Sequence, residues 1–337
     1  MNEICCFGEL LMRLCPDGDG NWLKTASMKV YTGGAEANVA GALAKWEDPV
    51  KYCSVVPDNY VVRQMVDSLQ EKKIDVSAIT YAGDKLGIYI LPVGSELKNA
   101  GVIYDRAGSS FTLVKPGTVD WNAVLEGVSL FHFSAISPGL SQQAADLCLE
   151  AVQAAANKGI TVSVDLNYRQ KLWKYGKTPI AIMPELASHC SIIMGNVWAA
   201  ERMLGITTHP DFEGKTDKKS CLEQSARSSE AIISGYPKCK WVANTFRFGQ
   251  GSVVDYYGTL FCSGKLFVSE QYHTENVVDK VGSGDCFMAG LLHGYFHEWN
   301  QQRTIDFSAA AAFDKLFISG DATTSSEKDI ISAYLKQ

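Results

Sequence analysis

The 337-residue chain is predicted to be an α/β protein, with a mostly parallel sheet covered by helices on both faces. Short apolar runs recur along it, at "EICCFGELL", "KYCSVVP", "VSLFHFS", "GITVSVDLN", "CSIIMGN" and "KWVANTF". They are close to continuously apolar, as expected of strands buried on both faces. Between them lie longer stretches with apolar residues at three- and four-residue spacing, the mark of amphipathic helices. Strands that alternate with helices over most of a chain predict a parallel sheet, with sites outside the carboxyl ends of its strands.

In chain order, "EICCFGELL" opens the sheet, and helices are predicted at 35 to 46, 60 to 73, 141 to 158, 196 to 204, 284 to 298 and 304 to 319. Two segments break the rhythm, "RLCPDGDGNWLKTASMKVYTGG" (13 to 34) and "GDKLGIYILPVGSELKNAGVIYDRAGSSF" (83 to 111). They carry turn residues and short β-like runs without a helical period, and read as hairpins or strands added to the main sheet. If they meet in space they form a small β-rich lid over the edge that carries the site. The polar stretch 207 to 230 reads as a solvated loop and helix, and "FSAAAAF" (307 to 313) as part of a closely packed helix. With no repeat, low-complexity tract or long linker, residues 1 to 337 are read as one domain.

Composition narrows the function. At 46% apolar the chain can bury a large core, and its formal charge of −6 supplies no basic field for nucleic acid or an anionic membrane. Small molecules are the expected partners. Ten cysteines are scattered without a CxxC pair, which reads as reduced thiols in a cytosol. The amino terminus carries no signal-peptide pattern and no run has the length of a bilayer span, so a soluble cytoplasmic protein is expected.

The stretch "VVDKVGSGDCFMAGLLHGYF" (277 to 296) concentrates the chemistry. Gly282, Ser283 and Gly284 form a bare-backbone turn at the mouth of a helix, where unpaired N–H groups and the helix dipole favour an anion such as phosphate. Asp285 beside them either caps the helix or takes the proton of a hydroxyl attacking that phosphate; this stretch alone leaves both open. A second small-residue turn, Gly33 and Gly34 in "YTGGAEANVAGALAKW", precedes a helix with Asn38 on its first turns. No GxxxxGK[ST] loop is present, and Gly249 and Gly251 lack the third glycine and the helix of a dinucleotide site. Arg106 and Arg169 are forked cations suited to a carboxylate or phosphate, and Tyr104 adds a hydroxyl beside an apolar ring. His293 and His297, at i, i+4 spacing, have no carboxylate or cysteine partner at a recognised spacing. They read as one packed and one solvated histidine, and no metal ligands are identified.

Together, "GGAEANVA" and "DKVGSGD" match the two signatures of the ribokinase-like carbohydrate kinases of the phosphofructokinase B family, and the resemblance runs over nearly the whole chain. Within that family the chain most resembles 2-keto-3-deoxygluconate kinases, on "FGELLMRL", "GGAEANVA", "VIYDRAGSSF", "FHFSAISP" and "DLNYRQKLW" in order. The resemblance implies a three-layer α/β/α sandwich with a β lid that often forms a homodimer contact. It also implies phosphorylation of 2-keto-3-deoxygluconate to its 6-phosphate by ATP with Mg2+. It implies Gly34, Asn38, Tyr89, Tyr104 and Arg106 at the sugar, Arg169 bridging sugar and nucleotide, and Asp285 as base. Asn167, Thr245, Arg247 and Gly249, with the amides of Gly282 to Gly284, would serve the nucleotide. Asp321, in "SGDATT", matches a sugar-contacting position, though a Gly-Asp after a helix also reads as a plain C-terminal turn. Tyr89, in the alternating "GIYILP", reads equally as lid packing.

The chain departs from the family pattern in two places. Relatives carry Asp-Thr before the glycine turn, a neighbourhood on which monovalent-cation activation relies, whereas here Asp279 is followed by Lys280. Many carry Asn-x-x-Glu, whose glutamate helps hold magnesium through water; here Asn196 is followed by Ala199 at that place, and Glu201 lies two residues further on. Two rival readings stand beside the sugar-acid kinase: a kinase of a neutral sugar such as fructose or ribose, which the two arginines disfavour, and a catalytically silent sugar-acid sensor.

Overall fold

The computed structural model describes residues 2–16, 27–92, 101–209, 212, 216–249 and 251–335. The first third contains β1 (Glu3–Phe7), β2 (Leu11–Cys15), β3 (Lys29–Gly33), α1 (Ala35–Lys45), β4 (Val50–Val56), α2 (Tyr60–Glu71), β5 (Ile79–Tyr81), β6 (Gly87–Ile90) and β7 (Ile103–Asp105). The middle contains α3 (Trp121–Val124), β8 (Val128–Ser134), α4 (Gln142–Asn157), β9 (Thr161–Asp165), α5 (Pro179–Ala187), β10 (Ile192–Gly195), α6 (Val197–Leu204) and α7 (Lys218–Gly235). The last part contains β11 (Trp241–Phe248), β12 (Val254–Cys262), β13 (Lys265–Val268), β14 (Tyr272–Thr274), α8 (Ser283–Phe296), α9 (Gln301–Asp314) and α10 (Glu327–Tyr334).

The large sheet runs β13-β12-β11-β10-β9-β8-β1-β4-β5, with β14 also paired to β12. It is parallel from β11 to β5. Two apolar clusters explain why its strands are apolar on both sides. One takes Leu43, Val62, Met65, Phe287, Leu291, Phe307 and Ile330 from α1, α2, α8, α9 and α10. The other, on the opposite face, takes Leu147, Met183, Met203 and Ile232 from α4, α5, α6 and α7. The helices α8 and α9 pack so closely that a Cβ on Gly290 would lie 2.7 Å from Ser308 Cα, consistent with the small residues of "FSAAAAF".

The fold agrees with the predicted α/β class, and the six apolar runs are strands. Beyond the unpredicted helices α3, α5 and α10, and an α9 that ends at Asp314 rather than 319, it differs in three places. After β11 the chain continues not into a helix but into antiparallel β12, β13 and β14, because Gly249 (φ 122°) and Gly251 (φ 60°) reverse it. The helix in the polar stretch reaches Gly235 and buries Gln224, Ser225, Ser228 and Ser229; Ser225 Oγ donates to Asn244 Oδ1 at 2.8 Å. A buried face made of serines has no apolar period to detect. Finally, α9 starts at Gln301, three residues ahead of the predicted start, because Asn300 accepts from the Arg303 N–H at 2.9 Å.

The two segments without helical period do meet. They form a separate sheet, β3-β2-β6-β7, in which β2 and β6 are parallel neighbours. Residues 17–26 and 93–100 of those segments, and 210–211 and 213–215 of the polar stretch, lie outside the described residues. All ten cysteines are buried free thiols. Among the described residues no helix is long and apolar enough to cross a membrane.

Candidate functional site

A pocket opens where the carboxyl ends of β9, β10 and β11 face the small sheet and the amino terminus of α8. Its floor is set by a glycine. Gly282 sits in the left-handed region (φ 78°), and a Cβ there would lie 1.8 Å from the Asp321 carbonyl oxygen, so only glycine fits. The first helical bond of α8 runs from Cys286 N to Gly282 O at 2.8 Å. The N–H groups of Ser283, Gly284 and Asp285 precede it, at the positive end of the helix dipole.

Asp285 lines this pocket half-buried, and Asn38 donates from Nδ2 to its Oδ2 at 2.7 Å. Burial pushes the Asp285 carboxyl up to about 7, with Asp165 and Glu36 adding repulsion and Asn38 and Arg169 opposing it. Asp165, at the end of β9, is likewise pushed up to about 6, mainly by burial. Glu36 is raised by burial as well; its Oε1 accepts from Ser134 N at 2.8 Å and Ser134 Oγ at 2.7 Å. Asn38 reaches Asp285 because α1 starts sharply at Gly34 (φ 134°), where a Cβ would lie 2.7 Å from the Glu9 carbonyl oxygen.

Around this floor the structure places Gly34, Tyr89, Tyr104, Arg106, Asn167, Arg169, Thr245, Arg247, Ser283 and Gly284 on the pocket wall. Arg106 is not a bare cation. It donates from Nε and Nη2 to Glu9 Oε2, both at 2.6 Å, while Ser109 Oγ donates to the other Glu9 oxygen at 2.5 Å. Arg247 Nη1 donates to Ser283 Oγ at 3.3 Å, and Arg169 Nη1 to the Tyr168 carbonyl at 3.3 Å.

Two residues expected at the site lie elsewhere. Gly249 is at the hairpin after β11, outside the lining. Asp321 is also outside it, 3% exposed, in a buried network beneath the small sheet. Arg13 Nη1 donates to Asp321 Oδ1 at 2.6 Å and to Asp279 Oδ2 at 3.1 Å, and Tyr89 donates its hydroxyl to Asp321 Oδ2 at 2.5 Å. Tyr89 therefore does both things read into it: it packs within the small sheet and lines the pocket.

Sequence reasoning did not single out Glu9, Glu36, Asp165 or Trp198, which line the pocket. The first three sit inside the quoted motifs "FGELLMRL", "GGAEANVA" and "DLNYRQKLW", so a signal was present. Lys280 and Ala199, the two departures, are both pocket-lining; Glu201 is not. Asn196 is committed to capping α6, its side chain accepting from Ala199 N at 2.8 Å. The reading of His293 and His297 as a pair without a carboxylate is corrected: Asp48 accepts from His293 Nδ1 and His297 Nε2, each at 2.7 Å. The partner is 245 residues from His293, so no local spacing reveals it.

Comparison with known proteins agrees with this geometry. Residues 1–234 match the description "pfkB family carbohydrate kinase". A 2-dehydro-3-deoxygalactonokinase of Haloferax volcanii is 26% identical over 320 residues, 95% of this chain and 92% of that protein. The crystal structure of a 2-dehydro-3-deoxygluconokinase from Thermotoga maritima has a TM-score of 0.89 and 31% identity, covering 98% of each chain. A fructokinase from Xylella fastidiosa with bound ATP has a TM-score of 0.76 at 17% identity, covering 98% of this chain and 97% of that one, a likeness of fold alone. With more than half of its residues matched to the family and 98% of its length superposing on such a kinase, the chain belongs to the pfkB family of carbohydrate kinases.

Proposed function

We propose that this carbohydrate kinase transfers the γ-phosphoryl group of ATP to the 6-hydroxyl of 2-keto-3-deoxygluconate, with Asp285 as general base. The observation that carries the reading is the position of Asp285: a carboxylate beside the open N–H groups of a helix, tuned to about 7. A base works best when its pKa lies near the operating pH. In the reaction the sugar hydroxyl loses its proton to Asp285 as its oxygen bonds to phosphorus, and the bond from phosphorus to the bridging oxygen breaks to release ADP. The N–H groups of Ser283, Gly284 and Asp285 face the charge that develops on the transferring group. Arg169, Arg247 and Lys280 add cationic groups to the same wall.

The sugar-acid choice rests on Arg106 and Tyr104 on the small-sheet side, and on the likeness to the Thermotoga and Haloferax kinases. Arg106 uses Nε and Nη2 on Glu9, which fixes the plane of the fork beside the pocket. In this reading the small sheet is the lid that shields the reaction from water, and pairing of two chains through it gives a homodimer. Magnesium fits the donor set, since Asp165, a hard oxygen donor at the end of β9, lies on the same wall as the cations that would meet the phosphates. When bound with the nucleotide it would neutralise phosphate charge.

ADP release with 2-keto-3-deoxygluconate, its galactonate epimer, fructose, ribose and no sugar tests the proposal, with the phosphorylated position read by NMR. Sugar-acid-dependent release with a 6-phosphate product is expected. Equal rates on neutral sugars overturn the substrate, and sugar-acid binding without turnover makes the protein a sensor.

A further inference from the structure

We propose that Asp48, His293 and His297 form a binding site for a divalent transition metal of the zinc class. It lies towards the far end of α8 from Asp285, roughly 12 to 18 Å along the axis at 1.5 Å of rise per residue. His293 and His297 are one turn apart, so both rings project from one side of the helix end. Asp48 enters from the turn after α1. Their ligand atoms, Asp48 oxygen, His293 Nδ1 and His297 Nε2, all lie within 4.8 Å of one another. Ligands about 2.1 Å from a tetrahedral zinc are about 3.4 Å apart, so small opening motions of the 2.7 Å contacts admit the ion.

One polar atom of the cluster is not accounted for by the contacts with Asp48. His293 Nε2 is buried without a hydrogen-bond partner among the described residues, with Glu327 Oε2 3.7 Å away. It sits in an apolar cage of Trp46, Trp299 and Phe307, whose rings lie 5.5, 4.8 and 5.5 Å from the imidazole, where an unmet polar atom is costly. With a metal on Nδ1 the ring's single proton moves to Nε2, where it points at Glu327. A shift of Glu327 by less than about 1 Å would close that gap, and a carboxylate on the outer nitrogen of a ligating histidine is how metal sites fix a ligand's tautomer. His297 is 44% exposed along its side chain, which leaves the fourth position to water.

The test uses the full-length chain, stripped with a chelator and free of nucleotide, titrated with Co2+ alone and followed by visible absorption, then with Zn2+. One equivalent of Co2+ is expected to give the spectrum of a four-coordinate ion, Zn2+ to displace it, and each metal to raise the melting temperature. His297→Gln, at a half-exposed position, is expected to fold as before, to lose the spectrum and to melt at the same temperature with and without metal. Glu327→Gln, which touches no metal, is expected to weaken binding by about 10- to 100-fold. A wild-type chain that takes up no stoichiometric metal overturns the site and leaves only the hydrogen bonds to Asp48; so does undiminished binding in both variants. Should His297→Gln misfold, the Glu327→Gln affinity alone decides.

Discussion

Asn38 Nδ2 and Asp285 Oδ2 lie 2.7 Å apart, joining the first turns of two helices 247 residues apart in the chain. The amide donates only to an ionised or acceptor oxygen, so it favours the charged carboxylate against the burial that raises its pKa. Asn38→Ala is expected to shift the acid limb of the kcat/KM profile upward by about one pH unit, from the strength of hydrogen bonds to charged groups. An unmoved profile would show that Asn38 does not bias the base.

Asp285→Asn is expected to bind ATP and lower turnover by about 100-fold or more. Stability supplies a second readout. Because folding raises this carboxyl, the folded state holds its proton more tightly, so the group supports the fold at low pH and loses that support as pH rises through about 7. The asparagine variant should melt higher than wild type at pH 8, and the gap should shrink towards pH 5. A constant gap across that range would contradict a raised Asp285.

Arg106→Ala should impair a carboxylate-bearing sugar far more than its neutral counterpart, seen as a change in the ratio of kcat/KM values. It also strands Glu9, a buried carboxylate, and should cost about 3–5 kcal/mol of stability. Adding Glu9→Gln should restore most of that stability without restoring the acid preference. If the double variant regains both, Arg106 acts by holding the fold and not by meeting the sugar.

Ala199 occupies the third position of α6, buried and on the pocket wall. A glutamate there has two uses for its carboxylate, the Asn196 backbone N–H or the pocket. Magnesium keeps several waters and binds largely through substrate phosphates, so the native chain should work without this carboxylate but need more metal. Ala199→Glu is expected to lower the magnesium concentration for half-maximal rate with the sugar requirement unchanged. Identical magnesium curves would show that the new carboxylate serves the helix cap.

The fold was legible because its signal is periodic: runs such as "VSLFHFS" and "GITVSVDLN" become adjacent parallel strands with little distortion. The glycine turn and the carboxylate that follows it on the pocket wall were legible because they are four consecutive residues. What escaped depends on distance along the chain. Glu9 matters through Arg106, 97 residues on, and Asp48 through His293, so neither carries a local mark of its partner. Asp321 misled in the other direction. Its motif pointed to the sugar, but Arg13, a cation read only as part of "FGELLMRL", turns both its oxygens inward together with Tyr89.

That last network limits how the gene can be rearranged. Residues 13 and 89 belong to the small sheet, whereas 279 and 321 belong to the stretch around α8 and α9, near the other end of the chain. Exchanging the small sheet for one from a kinase with another sugar preference would therefore import new side chains above an old pair of buried carboxylates. Unless positions 279 and 321 travel with it, the graft takes away the Arg13 guanidinium that bridges both carboxylates under the transplanted strands. The small sheet and the stretch around α8 and α9 are thus tied by buried charge, two distant pieces that must change together.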